Sequence, residues 1–355
     1  MASVDVERLL NIQARLFENA HKTPIELKTL GITMKRQGID TATLYCNPKF
    51  MLLPFAECDH LSQLTPEQMS VLTATYFASA YAEIASSETL ALRYNMAVSE
   101  MVFPIYSDPY MILFHETDEE MDHIITFRNV CQALVGRGDV IGVNHFQHLK
   151  PVYETFERYK DRLCPNGFGG MYLLMRYLLN LALKQLEGFM AANIPGGRSN
   201  PLAMEIITGH AEDEARHLTT SIELGLGLLE RATPESRNLV SSVLRISLYS
   251  MIDKRFASDL SNVWHHEASV AVLDRALKHP AFADFPTTAS ALKASWGKAG
   301  IEIQASAEFE NSRRWLASQI ARLVDRLGLK LTPSGESFER YQDYVRPLAA
   351  AQLAS

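Results

Sequence analysis

Cysteine is scarce in this chain. Its four residues in 355, Cys46, Cys58, Cys131 and Cys164, lie far apart and form no C-x-x-C pair. Such spacing supports neither a disulfide framework nor a thiolate zinc site, and reduced thiols are expected. Basic charge is in deficit. Lys and Arg number 34 against 41 Asp and Glu, a formal net charge of −7, which argues against a general nucleic-acid surface or an anionic-membrane face. Long apolar runs are missing as well. The longest uncharged stretch, Gln68–Ala82, has 15 residues and contains Ser, Thr and Tyr, too short and too polar for a bilayer. The opening MASVDVERLL is acidic at once, with no basic region before an apolar run. No secretory signal is expected from it, and the cytoplasm is the default location.

Strand-like alternation is nearly absent, while 47% hydrophobic and 21% charged residues exclude a disordered chain. From residue 65 onward the pattern is helical. Thr65-Pro66-Glu67-Gln68 combines an N-cap, a proline at the first helical position and a capping-box glutamine. It opens a helix to about Val102, and Asp108-Pro109 starts the next, to about Gly136. A helix near Phe146–Leu163, stopped by Pro165 and Gly167, precedes one over 170–192. Asn200-Pro201 caps a helix to about Glu230, and Thr233-Pro234-Glu235 caps another. Further helical segments fit 258–278, 288–295, 300–328 and 336–348. Residues 1–60 are the least regular, with short extended pieces around Ile39–Leu44 and Phe50–Phe55. The expectation is an all-α four-helix-bundle core over about 65–230 with additional helices, the C-terminal ones over 234–350, within a single helical domain spanning 1–355.

Two segments carry an uncommon combination of acids and histidines. HETDEEMDH at 115–123 contains Glu120-x-x-His123, and HAEDEARH at 210–217 places His210, Glu214 and His217 at i, i+4 and i+7. Each set lies on one helix face, where a carboxylate oxygen and an imidazole nitrogen reach a common point. Two such motifs on bundle-length helices suit a carboxylate-bridged dimetal centre, which also needs a glutamate from each partner helix. Glu187 is the only acid between Asp161 and Glu205, and a pairing with Lys184 is its bland alternative. On the helix before the first motif the choice lies between Glu88 and Glu83, with Glu88 at the better depth. Glu116 reads either as an additional site residue or as a surface charge.

The set Glu88, Glu120, His123, Glu187, His210, Glu214 and His217 mixes oxygen and nitrogen donors without thiolate, which suits iron or manganese. Its four carboxylates match the charge of two divalent ions. Glu119, Asp213 and Arg216 stand beside these residues, and from there each acid can lean across to a histidine of the opposite helix.

The pattern E…ExxH…E…HxxxExxH over about residues 65–230 resembles the p-aminobenzoate N-oxygenase (AurF) family of non-haem diiron oxygenases. The distinguishing feature is the third histidine, four residues before the second motif's glutamate, a place that His210 occupies. One departure is Glu119, where the family usually has aspartate. The resemblance implies a ferritin-like bundle core, two iron ions, with manganese as the alternative, O2 as cosubstrate, and oxygen transfer to an aromatic amine. The competing readings are a diiron oxidase or oxygenase for an aliphatic, acyl or amino-acid substrate, and a non-catalytic ferritin-like iron-binding protein. Phe127, Tyr172, Arg176 and Tyr177 are the candidate substrate-pocket residues, although outward solvation is the expected fate of Arg176. GRGDVIG at 136–142 matches neither a dinucleotide nor a phosphate-loop fingerprint. No bound nucleotide or flavin is therefore expected, and electrons are expected from a separate reductase, ferredoxin-like protein or small reductant. A homodimer is the base-rate expectation.

Overall fold

The computed structural model describes residues 26–48, 63–136, 150–192, 197–252 and 274–286, with isolated positions besides. Seven helices are seen among them: α1 (Leu27–Gln37), α2 (Pro66–Val102), α3 (Asp108–Val135), α4 (Lys150–Tyr159), α5 (Pro165–Ala191), α6 (Pro201–Arg231) and α7 (Pro234–Ile252). Helix α2 packs on α3 and α5 packs on α6. These two pairs face each other, and α1 lies on α3 while α7 lies on α5. The fold is all-α and ferritin-like, with extra helices around the core.

Local chemistry sets the helix starts. The Thr65 hydroxyl accepts from the Gln68 N–H while the Gln68 side chain accepts from the Thr65 N–H, and Pro66 follows the cap. The Asn200 side chain accepts from the Ala203 N–H ahead of α6. The uncharged stretch Gln68–Ala82 becomes the part of α2 that is buried on nearly every face, as expected of a helix without a polar side. None of the described helices is long and apolar enough to cross a membrane.

Several boundaries differ from expectation. Pro165 does not merely stop a preceding helix; it is the first residue of α5, which starts five residues earlier than position 170. Gly167, Gly169 and Gly170 then fall in the first turns of α5 against its neighbours. A Cβ on Gly170 would sit 3.1 Å from the Gly225 carbonyl oxygen and 3.2 Å from the Leu229 backbone nitrogen. Close approach of α5 to α6 is the reason for glycine there. The helix near Phe146–Leu163 is described only over Lys150–Tyr159.

The N-terminal part is more regular than its sequence suggests. Helix α1 contains Gly31 and the β-branched Thr29, Ile32 and Thr33, a poor intrinsic helix former. Packing on α3 overrides propensity, since Gly31 lies directly over the backbone of Thr126. The extended piece near Ile39–Leu44 reduces to one parallel bridge, Leu44 with Ser199. Phe50–Phe55, 288–295, 336–348 and most of 258–278 and 300–328 lie outside the described residues.

Two apolar clusters fill the core. One is built around Phe77, Tyr81 and Phe127, the other around Tyr94, Phe168 and Tyr172. Along α2, Ile84 and Ala85 belong to the first and Leu90 to the second, so Glu88 falls between them.

Gly170→Ala should destabilise the protein by about 1–2 kcal/mol, because overpacking against backbone outweighs the gain in helix propensity. Gly188→Ala, where a Cβ meets nothing within 4 Å, should stabilise it by up to about 1 kcal/mol. Thermal denaturation of the two variants should therefore move in opposite directions.

Candidate metal centre

Each core helix turns a polar line inward. It consists of Tyr81, Glu88 and Asn95 on α2, and of Glu116, Glu120 and His123 on α3. Arg176, Asn180 and Glu187 form it on α5, and His210, Glu214 and His217 on α6. Every one of these side chains belongs to a residue at most 9% exposed. The spacings of three, four, seven and eleven keep each line on one face of its helix.

Donor atoms converge in two sets. One comprises Glu88, His123, His210 and Glu214, the other Glu120, Glu214 and His217, and within each set the atoms lie within 4.8 Å of one another. Glu214 belongs to both. This is a buried two-metal cluster of glutamates and histidines. Of the two candidates on α2, Glu88 enters it and Glu83 enters neither set.

Carboxylates from the opposite helix orient two of the histidines. His123 Nε2 donates to Asp213 at 3.0 Å, and His217 Nε2 donates to Glu119 at 3.0 Å. Arg216 ties the two carboxylates together, bonding Asp213 at 2.6 Å and also Glu119. With Nε2 engaged, the Nδ1 atoms turn towards the centre. His123 Nδ1 stands 3.4 Å from Glu88 Oε1 and 3.5 Å from Glu120 Oε2. His217 Nδ1 stands 3.1 Å from Glu214 Oε1 and 3.3 Å from Glu120 Oε1.

His210 is held differently. Its Nδ1 is 2.6 Å from Glu187 and its Nε2 is 2.9 Å from Glu88. Glu187, expected as a ligand, lies in neither donor set; one of its oxygens takes both His210 and the Tyr81 hydroxyl, the latter at 2.9 Å. In this arrangement Glu187 aims His210.

The donor set itself tests the fit of a metal. Glu88 Oε2, Glu120 Oε2, Glu187 Oε2 and His123 Nδ1 are buried without a hydrogen-bond partner. Buried polar atoms are seldom left so, and lone pairs facing one another call for cations between them. The electrostatics agree. Burial alone would push the imidazolium of His210 down, but Glu187 and Glu88 outweigh it and raise its pKa to about 10. Burial likewise opposes charge on His123 and His217, yet Glu88 and Glu214 drive both well above the usual histidine range. Burial pushes Glu88 up against the pull of His123. The pocket of acids demands positive charge, which a divalent pair supplies. With no thiolate among the donors, iron or manganese fits better than a structural zinc.

The remaining expected residues are placed as follows. Phe127 is fully buried, stacked on His123 at 6.0 Å and edge-on to His210 at 5.1 Å. Tyr172 donates to Asn95 at 2.6 Å. Tyr177 is half-buried on the second apolar cluster, near the cations of Arg326 and Arg322. Arg176 departs from the expectation of outward solvation. It is 4% exposed and bonds Glu116 at 2.5 Å and Glu120 at 2.8 Å. Glu116 is correspondingly an interior residue, not a surface charge. Asn180, which donates to Glu214, was not singled out from the sequence, although its spacing of four from Arg176 and seven from Glu187 was the available signal. The histidines at 145, 148, 265 and 266 lie outside the described residues.

Asp213→Asn removes the carboxylate that holds the His123 Nε2–H. Metal affinity should fall about 10- to 100-fold, measured by calorimetric titration of chelator-stripped protein with manganese(II). The wild-type chain should take up about two ions, and stripping them should lower the melting temperature, because ions that bind the folded cluster stabilise the fold. An unchanged melting temperature would count against a metal role.

No family model matches the chain, and neither the curated proteins nor the solved structures compared with it include a match.

Proposed function

We propose that this protein is an O2-activating diiron oxygenase whose reaction is the N-oxygenation of an aromatic amine. The observation that carries the reading is the double donor set joined through Glu214, with the third histidine, His210, added beside Glu88. A purely structural site has no need of an internal dimetal cluster with several unpartnered buried donor atoms. An iron pair held there would supply the redox chemistry of O2 reduction, with one oxygen atom going to the substrate and the other to water at the cost of two external electrons and two protons.

The ligands by this reading are Glu88, Glu120, His123, His210, Glu214 and His217, with Glu187 acting on His210 or reaching an ion through its free oxygen. The chain's own part is to hold and to shield. Asp213 and Glu119 fix two imidazoles in one tautomer, so their Nδ1 lone pairs are ready without reorganisation. Phe127 and Tyr81, whose rings lie 4.4 Å apart, cover the His210 side with apolar surface, which excludes water and protects a reactive oxidant from side reactions. The aromatic-amine substrate is supported by the resemblance carried by His210 and its neighbours. A separate reductase, ferredoxin-like protein or small reductant would deliver the two electrons.

The test is turnover of the reduced, iron-loaded protein under ¹⁸O2 with a panel of arylamines, aliphatic amines and carboxylic acids. The expected result is substrate-dependent O2 uptake with ¹⁸O on the nitrogen of an arylamine product. Label on carbon would keep the oxygenase class and remove N-oxygenation. Progressive loading far beyond two irons per chain, without turnover of any substrate, would instead establish an iron store.

A further inference from the structure

Among the described residues that are buried around the centre, Arg176 is the only arginine or lysine, and the ligand scheme above gives it no task. Its guanidinium forks. One terminal nitrogen bonds Glu116 at 2.5 Å and also lies 3.4 Å from the Asn95 side-chain oxygen, and the other bonds Glu120 Oε1 at 2.8 Å. Glu120 belongs to the three-residue donor set with Glu214 and His217; among the described residues no arginine bonds a member of the four-residue set.

We propose that Arg176, with Glu116 as its counter-charge, makes the two ion positions unequal: it weakens the position formed by Glu120, Glu214 and His217, so that the centre fills in order. The inference rests on the two-ion reading of the site. Three features support it. The first position offers four residues and the second offers three. The Glu120 oxygen that faces His217, Oε1 at 3.3 Å from its Nδ1, is the one committed to the guanidinium, whereas Oε2, which has no hydrogen-bond partner, stands 3.5 Å from His123 Nδ1 on the side of the four-residue set. The guanidinium cannot shed its charge, and in a dry interior that charge acts strongly on a divalent ion sharing the same carboxylate. Glu116 offsets the repulsion in part, which fixes the sign expected when it is removed.

Arg176 is accordingly a positioning residue that acts through Glu120. It holds that carboxylate in one orientation and lowers its strength as a donor. A fixed positive charge beside one ion also favours the lower oxidation state there, so an iron pair would be electronically unequal.

The experiment is manganese(II) titration of the chelator-stripped full chain, followed by calorimetry and by electron paramagnetic resonance of the free ion. Manganese keeps O2 chemistry out of the measurement. Wild-type protein should bind two ions in separate steps. Glu116→Gln leaves the guanidinium uncompensated and should weaken the second step about tenfold or more, with the first step within about threefold of wild type. The double substitution Arg176→Met with Glu116→Gln removes both charges and releases Glu120, and should tighten the second step about tenfold. Arg176→Gln, which keeps a hydrogen-bond donor, should move in the same direction as the double variant and decides the matter if that variant does not fold. A role in packing alone would weaken the second step in every variant. A second step unchanged or weakened by loss of Arg176 would overturn the inference while leaving the two-ion centre intact. Uptake of fewer than two ions by the wild type would instead remove the reading on which it rests.

Discussion

Carboxylates buried in a helical core are the constraint on which this structure turns. Glu88, Glu116, Glu120, Glu187 and Glu214 are all nearly inaccessible, and an unpaired buried charge costs several kcal/mol. Arg176 answers Glu116 and touches Glu120. As metal ligands the three histidines are neutral imidazoles and contribute no charge. Four negative charges remain, the complement of two divalent cations. Folding and metal binding are thus linked through the same atoms: the bundle that creates the cluster needs its counter-charge in order to be stable.

The bundle meets this constraint by layering. Above and below the polar level, α2 is apolar on its inner face, with Phe77 and Tyr81 on one side of Glu88 and Tyr94 and Val98 on the other. Polar residues recur at intervals of seven on α2, from Tyr81 to Glu88 to Asn95, so the inward line drifts little over these two heptads. Each polar residue in the line has a distinct task. Tyr81 bonds Glu187, Glu88 is a donor, and Asn95 accepts from Tyr172 and lies within reach of Arg176. The apolar layers anchor the backbone on both sides, and this rigidity places side chains from four helices on common points.

Much of this was legible in the sequence because helical periodicity is local. Glu120-x-x-His123 and the His210, Glu214, His217 triplet are fixed by spacing within one helix, and the Thr65 capping box by four adjacent residues. What spacing does not encode is depth across a pair of helices. The choice of Glu88 over Glu83 depended on the α2–α3 turn, and the α1 helix depends on a contact between Gly31 and Thr126 that no local pattern announces. Arg176 is the instructive miss. A lone arginine in a Leu/Met-rich helix is ordinarily solvated, and its inward placement follows from Glu116 and Glu120, sixty and fifty-six positions away. Long-range charge pairing is invisible to a reading made one helix at a time. The same holds for Glu187, whose sequence isolation marked it as part of the site without showing that it faces His210.

The carboxylates around the centre are exchanged between helices, and this has a mechanical consequence. Glu119 of α3 holds a histidine of α6, while Asp213 of α6 holds a histidine of α3, and Arg216 grips both. Displacing either helix along its axis would break both histidine contacts and strand a half-buried guanidinium. The two ends of the arrangement differ in reach. Glu119, with one more methylene than Asp213, also accepts from His115, a partly exposed residue 3.3 Å away on the preceding turn. Burial would raise the Glu119 carboxyl, but His115, His217 and Arg216 together hold it far below the usual carboxylate range, and it therefore stays an acceptor for His217. The exchange ties α3 and α6 into one frame around the donor atoms, which limits the reorganisation that holding an ion requires.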